Sequence, residues 1–189
     1  MRTFTGKLDL SRSRVLVVDD LHPSRELMLQ VLTGFRVKNV QACASPEEAR
    51  QQIAARVFDL IIIDGEMPGE DGISLTRHVR AEPKQPNFTA PILLVSSSTP
   101  IEKVILARDA GANMVVKKPI APAVLLARIK WLACNDRDFV KADSYCGPDR
   151  RFKSLPLSEG IEERRADNLA LTASPDRAMS QDEVDSLFG

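Results

Sequence analysis

The sequence predicts an α/β fold, a parallel sheet with helices on both faces, and two observations carry that prediction. Between residues 14 and 134, five short apolar or β-branched runs alternate with five longer segments of helical period. Two of those runs, "DLIII" (59–63) and "PILLV" (91–95), are continuously apolar after their first residue. A strand reads that way when both of its faces are covered.

The first strand is "RVLVV" (14–18). The helix "PSRELMLQVLTGF" (23–35) follows, with Pro23 in the first turn, where its missing N–H removes no helical bond. "VQACA" (40–44) is a weaker strand, and "SPEEARQQIAARV" (45–57) opens as a helix with capping-box spacing from Ser45 to Glu48 and Pro46 in its first turn. "DLIII" leads to the helix "GISLTRHVRAE" (72–82). After "PILLV", the helix "TPIEKVILARDAG" (99–111) repeats the capping-box spacing from Thr99 to Glu102 and stops at Gly111. "NMVVK" (113–117) is the last strand and "APAVLLARIKWLA" (121–133) the last helix. Beyond about residue 135 the period dissolves into polar sequence broken by Pro148, Pro156 and Pro175, a linker or loosely docked extension, with a short helix pattern in "GIEERRADNLALT" (160–172). The expected organisation is a leader (1–11), one domain (12–136), a linker or extension (137–175) and a terminal motif (176–189).

Composition narrows the function classes. A chain of 189 residues fits one domain plus an appendage, and 43% hydrophobic residues are enough for a core. Zero net charge argues against non-specific nucleic-acid binding. It conceals an asymmetry: residues 1–134 hold 18 Lys/Arg against 14 Asp/Glu, and residues 135–189 hold 8 against 12. Cys43, Cys134 and Cys146 lack metal-ligand spacing and read as reduced thiols. No apolar run approaches the ~20 residues that span a bilayer, and the N-terminus lacks a signal-peptide core. The expectation is a soluble, cytoplasmic protein.

The candidate site lies at the strand ends. Asp19 and Asp20 follow the first strand, Asp64 the third, Ser96 the fourth and Lys118 the fifth. In a parallel sheet these ends share one edge, where ligands bind. Three carboxylates in one cleft repel each other unless a cation intervenes. Lys118 supplies one, and Mg2+ (or Mn2+) is the natural other, since it takes carboxylates together with water and phosphate oxygens. His22 and His78 read as ordinary helix-face residues, and no hydrolytic nucleophile set is present.

The stretches "VLVVDD", "IIIDGEMPGEDG", "ILLVSSS" and "VVKKP" resemble the signature set of CheY-like response-regulator receiver domains, over roughly residues 12–134. The resemblance implies a flavodoxin-like (βα)5 sheet of order 2-1-3-4-5. It implies Asp64 as the phosphoacceptor, served by a histidine kinase or phosphotransfer protein. Asp20 becomes the main metal ligand, with Asp19 acting through water and Asp64 and the backbone carbonyl of Glu66 completing the set. Lys118 would bind the phosphoryl oxygens, and Ser96 would turn inward to them. Pro119 sits where the family usually has a cis peptide. Glu66 and Ser98 occupy positions that tune dephosphorylation. Val115 stands where the family often has an aromatic that swings with the Ser/Thr switch, so coupling in that form is not expected. No enzymatic turnover is implied beyond self-catalysed gain and loss of the phosphoryl group.

The residues after 134 show no helix-turn-helix pattern and are acidic in balance, so DNA is not an expected partner, nor is a membrane. "SYCGPDRRFK" (144–153) resembles the "GPDRR" extension of some bacterial single-domain regulators, readable as a solvated turn, a packed arm or an anion site. The terminal "MSQDEVDSLFG" (179–189) is a complete helix start: Ser180 and Glu183 have capping-box spacing, and Met179 and Val184 are placed as a staple. Val184, Leu187 and Phe188 share one face. With Gln181 included, the stretch is similar to the amino-terminal peptide by which the flagellar switch protein binds phosphorylated chemotaxis regulator. That resemblance implies a short helix on the face of helix four, strand five and helix five, gaining affinity when Asp64 is phosphorylated. Docking in cis, on another receiver or by self-association is sterically open, because a flexible linker of about 45 residues reaches roughly 35–40 Å. The expected function is a phosphorylation-switched binding protein in chemotaxis or motility. The alternative is a phosphorelay intermediate or phosphate sink whose output is phosphotransfer.

Overall fold

The computed structural model describes residues 9–81, 86–134, 139–142, 145–149 and 179–188. Five strands, β1 (Arg14–Val18), β2 (Asn39–Cys43), β3 (Leu60–Asp64), β4 (Ile92–Ser96) and β5 (Met114–Lys117), form a parallel sheet of order β2-β1-β3-β4-β5. Five helices alternate with them: α1 (His22–Gly34), α2 (Pro46–Ala55), α3 (Gly72–Ala81), α4 (Ile101–Asp109) and α5 (Pro122–Cys134). The flavodoxin-like fold and the strand order are as expected.

The two-residue period of the strands divides the core into two layers. Leu16, Ile61, Ile63, Ile92 and Leu94 pack with Ile53 of α2, Leu75 and Val79 of α3, and Val104 and Ala107 of α4. Val15, Val17, Ile62, Leu93 and Val95 pack with Leu32 of α1 and with Leu125 and Ile129 of α5. Every residue of β3 and β4 is buried, which is why those two runs carry no polar alternation.

Local chemistry caps the start of α2 but not that of α4. Glu48 N–H donates to Ser45 Oγ at 3.2 Å, and the Glu48 carboxylate takes the Ala44 N–H at 2.8 Å. The Thr99–Glu102 capping box does not form. Pro100 is the N-cap of α4, and no side chain caps that helix. Thr99 Oγ1 instead donates to the carbonyl of Met179 at 2.9 Å, so the terminal segment has taken the hydroxyl that the spacing assigned to the helix.

Where the extension is described, residues 139–142 and 145–149, it holds structure that its composition does not suggest. β6 (Phe139–Ala142) and β7 (Tyr145–Pro148) form an antiparallel hairpin. It covers Arg80, a residue 3% exposed whose guanidinium carbon lies 5.2 Å from the centre of the Phe139 ring. Arg80 donates to the carbonyls of Gly111 (3.1 Å), Phe88 (2.6 Å) and Ala90 (2.8 Å), and to Asn113 Oδ1 (3.0 Å). Gly111 has φ +97°, and a Cβ there would lie 2.6 Å from the Cys146 carbonyl, so the helix stop is also the seat of the hairpin. Residues 1–8 of the leader, Arg150, Arg151, Lys153 and the helix pattern at 160–172 lie outside the described residues.

The terminal motif forms α6 (Gln181–Phe188), with the reciprocal capping box in place. Glu183 N–H donates to Ser180 Oγ at 3.3 Å, and Ser180 N–H donates to the Glu183 carboxylate at 2.8 Å. An eight-residue helix is not stable alone in water. Here it packs on β5 and α4 of its own chain, with Val184 and Phe188 at 0% and 1% exposure in the same apolar layer as Val104, Ala107 and Val115.

Candidate functional site

The strand register delivers the predicted residues to one edge. Asp64, the last residue of β3, pairs with Val95 of β4, and Ser96, the last of β4, pairs with Lys117 of β5. Gly72 lets α3 start against this edge: a Cβ there would lie 2.2 Å from the Asp64 carbonyl. Lys118 Nζ donates to Asp64 Oδ2 at 2.6 Å and to Asp19 Oδ2 at 3.3 Å. The peptide between Lys118 and Pro119 is cis, and Pro119 is exposed.

Asp64 is 3% exposed, and that burial pushes its carboxyl above the usual range, outweighing the Lys118 hydrogen bond that favours the charged form. Burial acts the opposite way on Lys118, but its bond to Asp64 and the charges of Asp64 and Asp19 raise it and keep it an ammonium. Ligand oxygens of Asp19, Asp20 and Asp64 lie within 4.8 Å of one another. Asp20 Oδ1 is buried and, among the described residues, has no hydrogen-bond partner. Three converging carboxylates, one with an orphaned oxygen, beside a single ammonium fit a hard divalent cation with oxygen ligands.

Ser96 stands at the same edge, but its hydroxyl points elsewhere. Its Oγ donates to Glu66 Oε1 at 2.9 Å and to the Ser98 carbonyl at 2.6 Å. The Glu66 carboxylate also receives Ser97 N–H at 3.0 Å, Ser97 Oγ, Ser98 N–H at 3.2 Å and Lys103 Nζ at 3.2 Å. Burial opposes ionisation of Glu66, yet these bonds, those to Ser97 foremost, hold its pKa down at about 2. The sequence pointed to the backbone carbonyl of Glu66. The structure adds its side chain, which the contiguous serines at 96–98 signal only once β3 and β4 are known to be neighbours.

The terminal motif is brought to the same end of β5. Met179 N–H donates to the Thr99 carbonyl at 2.8 Å. Gln181 Oε1 accepts from Lys117 N–H at 2.7 Å, and Gln181 Nε2 donates to the Val115 carbonyl at 3.1 Å. Asp185 pairs with Arg128 of α5. Leu187 is half-buried against the apolar layer, and burying Val184 and Phe188 stabilises the contact by about 1.5–3 kcal/mol each. The tail thus sits in cis on the α4–β5–α5 face.

Residues 15–130 match the family model described as response regulator receiver domain. The chain belongs to that family. Protein PetR of Rhodobacter capsulatus is 36% identical to this receiver over 124 residues, 65% of this chain and 49% of PetR, so the chain spans about half the length of that relative. Chemotaxis protein CheY-3 of Vibrio cholerae is 28% identical over 116 residues, 61% of this chain and 88% of CheY-3. Among solved structures, this receiver is similar to the receiver domain of the histidine kinase CKI1 from Arabidopsis thaliana, complexed with Mg2+ and BeF3−. The TM-score is 0.58 with 29% identity, covering 64% of this chain and 90% of that one. In two-component systems receiver domains interact with histidine kinases or phosphotransfer proteins, and they generally bind Mg2+. Among the described residues, no helix is long and apolar enough to cross a membrane.

Proposed function

We propose that this receiver is a response regulator that accepts a phosphoryl group on Asp64 from a histidine kinase or phosphotransfer protein and uses it to switch protein–protein binding. The observation that carries the reading is Lys118 Nζ bridging Asp64 and Asp19 beside the orphaned Asp20 Oδ1. In the transfer, an Asp64 oxygen forms a bond to phosphorus as the N–P bond of the donor phosphohistidine breaks, and the imidazole leaves with that electron pair. Little covalent chemistry is asked of the protein, so positioning and charge neutralisation carry the rate. Lys118, bonded to Asp64 and Asp19, would hold a phosphoryl oxygen. Asp19, Asp20, Asp64 and the Glu66 carbonyl would hold Mg2+, whose chemistry is neutralisation of the oxygens' charge. The protein turns over no other substrate, and a histidine kinase as donor makes the cytoplasm its compartment.

The α4–β5–α5 face is the output surface in this reading, with α6 as its cis ligand. The chemotaxis assignment is supported by the terminal pattern and by the name of CheY-3. The test is incubation of the full chain with acetyl phosphate and Mg2+, followed by intact mass. One phosphoryl adduct is expected, absent in Asp64→Asn. Failure of the unmodified chain to take up the group overturns the reading.

A second reading, a phosphorelay intermediate or phosphate sink, is favoured by one observation: α6 already occupies the β5 edge, so a protein target meets a covered face. Return of the phosphoryl group to a histidine phosphotransfer protein, unaffected by deleting residues 176–189, would support it.

A further inference from the structure

We propose that Glu66 clamps the loop after β4 in the conformation that holds α6, so that a phosphoryl group on Asp64 loosens the terminal helix. This rests on the phosphoacceptor reading above and reverses the sign of coupling that the resemblance implied.

The clamp is one carboxylate collecting one loop. Glu66 takes Ser96 Oγ, Ser97 N–H and Oγ, and Ser98 N–H, and Lys103 fastens it to α4. The next residue, Thr99, is fully buried and makes both bonds to Met179, one through its hydroxyl and one through its carbonyl. The entry to α6 is therefore built on a loop whose three preceding residues are held by Glu66. Glu66 is in turn tied to the acceptor, because its own N–H donates to Asp64 Oδ1 at 3.1 Å.

Phosphoryl transfer acts on this arrangement in two ways. With acetyl phosphate, an Asp64 oxygen bonds to phosphorus as the acyl P–O bond breaks, and acetate leaves with the electron pair. The carboxylate is replaced by a group with about −1.5 to −2 charge and three strong acceptor oxygens. That added negative charge repels the Glu66 carboxylate, whose own N–H is bonded to Asp64 Oδ1. The new oxygens also compete for the Ser96 hydroxyl, which has one proton and now spends it on Glu66 and the Ser98 carbonyl. A cavity of about 20 Å³, roughly the room of one water, lies between Ser96, Ser98, Val104 and Val115. A bulkier residue in place of Val115 would fill it. If the clamped loop binds α6 more tightly, phosphorylation and docking oppose each other by linkage. Release uncovers the β5 edge at the Val115 carbonyl and Lys117 N–H, together with the groove that held Val184 and Phe188.

The test is hydrogen exchange in residues 181–188 of the full chain, with acetyl phosphate and Mg2+, and in Glu66→Ala without donor. Both are expected to speed exchange at least roughly fivefold. Glu66→Gln, which keeps the acceptor oxygen and loses the charge, is expected in between and serves if Glu66→Ala does not fold. Unchanged amides in β1 and β3 show that a variant is folded. A phosphoryl adduct by intact mass with α6 exchange unchanged or slowed overturns the clamp and leaves the phosphoacceptor reading standing. Absence of the adduct overturns both. Unchanged α6 exchange in a folded Glu66 variant overturns the clamp alone.

Discussion

The side chain of Gln181 hydrogen-bonds the open edge of β5 on both sides of Val116, accepting from Lys117 N–H at 2.7 Å and donating to the Val115 carbonyl at 3.1 Å. An edge strand leaves alternate backbone groups unpaired, and a primary amide carries one donor and one acceptor. One residue of α6 thus does for this edge what a sixth strand would. Gln181→Ala leaves both backbone groups without that partner and is expected to weaken docking by about 1–3 kcal/mol. Faster hydrogen exchange in residues 181–188, with the rest of the sheet unchanged, is the readout. Gln181→Glu is expected to be at least as damaging, because it aims a carboxylate at the Val115 carbonyl.

The apolar half of the same contact predicts a larger effect. Phe188 is 1% exposed, and truncating a buried Phe to Ala typically costs about 3–5 kcal/mol. A helix of eight residues has no reserve of that size. Phe188→Ala and Val184→Asp are each expected to undock α6 and open Glu183 to cleavage by a Glu-specific protease. The Arg128–Asp185 pair is partly exposed on both sides, so Asp185→Asn is expected to change docking by less than about 1 kcal/mol.

Arg80 predicts a third outcome, far from the acidic edge. Its guanidinium satisfies a cluster of buried carbonyls, and among the described residues no salt bridge joins it to a carboxylate. Arg80→Met fills much of the volume but strands those acceptors, at an expected cost on the order of 3–5 kcal/mol in denaturant unfolding. Arg80→Lys is not expected to restore stability, since one ammonium cannot reproduce the planar fork. Loss of the Phe139 contact should also free the β6–β7 hairpin, visible as faster exchange in residues 139–148.

These contacts mark where the sequence was legible and where it was not. The strands and helices of residues 14–134 follow from local period, and the convergence of Asp19, Asp20, Asp64, Ser96 and Lys118 follows from parallel topology alone. The Ser180–Glu183 box formed as its spacing implied, because both partners lie within four residues. The Thr99 box did not, because a residue eighty positions away competes for the hydroxyl. The hairpin was illegible for the same reason. Two four-residue strands ending on Pro148 carry no alternation of their own and depend on Arg80 and Gly111 for a seat. Glu66 needed the pairing of Asp64 with Val95 before its serine partners could be seen.

Cys43 predicts a pH dependence with a definite sign. The thiol ends β2 at 2% exposure, and burial, with the Glu48 carboxylate adding and Arg25 opposing, pushes its pKa up to about 11 from 9.0. In the unfolded chain the thiol ionises near pH 9, while the folded chain retains the proton to about 11. Between those values the native state binds more protons than the unfolded state, so stability falls as pH rises. The contribution is fully present below about pH 9 and is lost by about pH 11, a change of about 2–3 kcal/mol for two pKa units. The measurement is a difference that isolates this thiol: urea unfolding of the unmodified chain and of Cys43→Ala at pH 8, 9, 10 and 11. Cys43→Ala is expected to be less stable at pH 8 through lost packing, and the gap is expected to close by most of that 2–3 kcal/mol as the pH rises. Parallel curves would show that the thiol ionises over the same pH range in both states and that burial does not raise its pKa. Alkylation gives an independent check at pH 8: exposed Cys134 should react promptly, and Cys43 only on the timescale of unfolding.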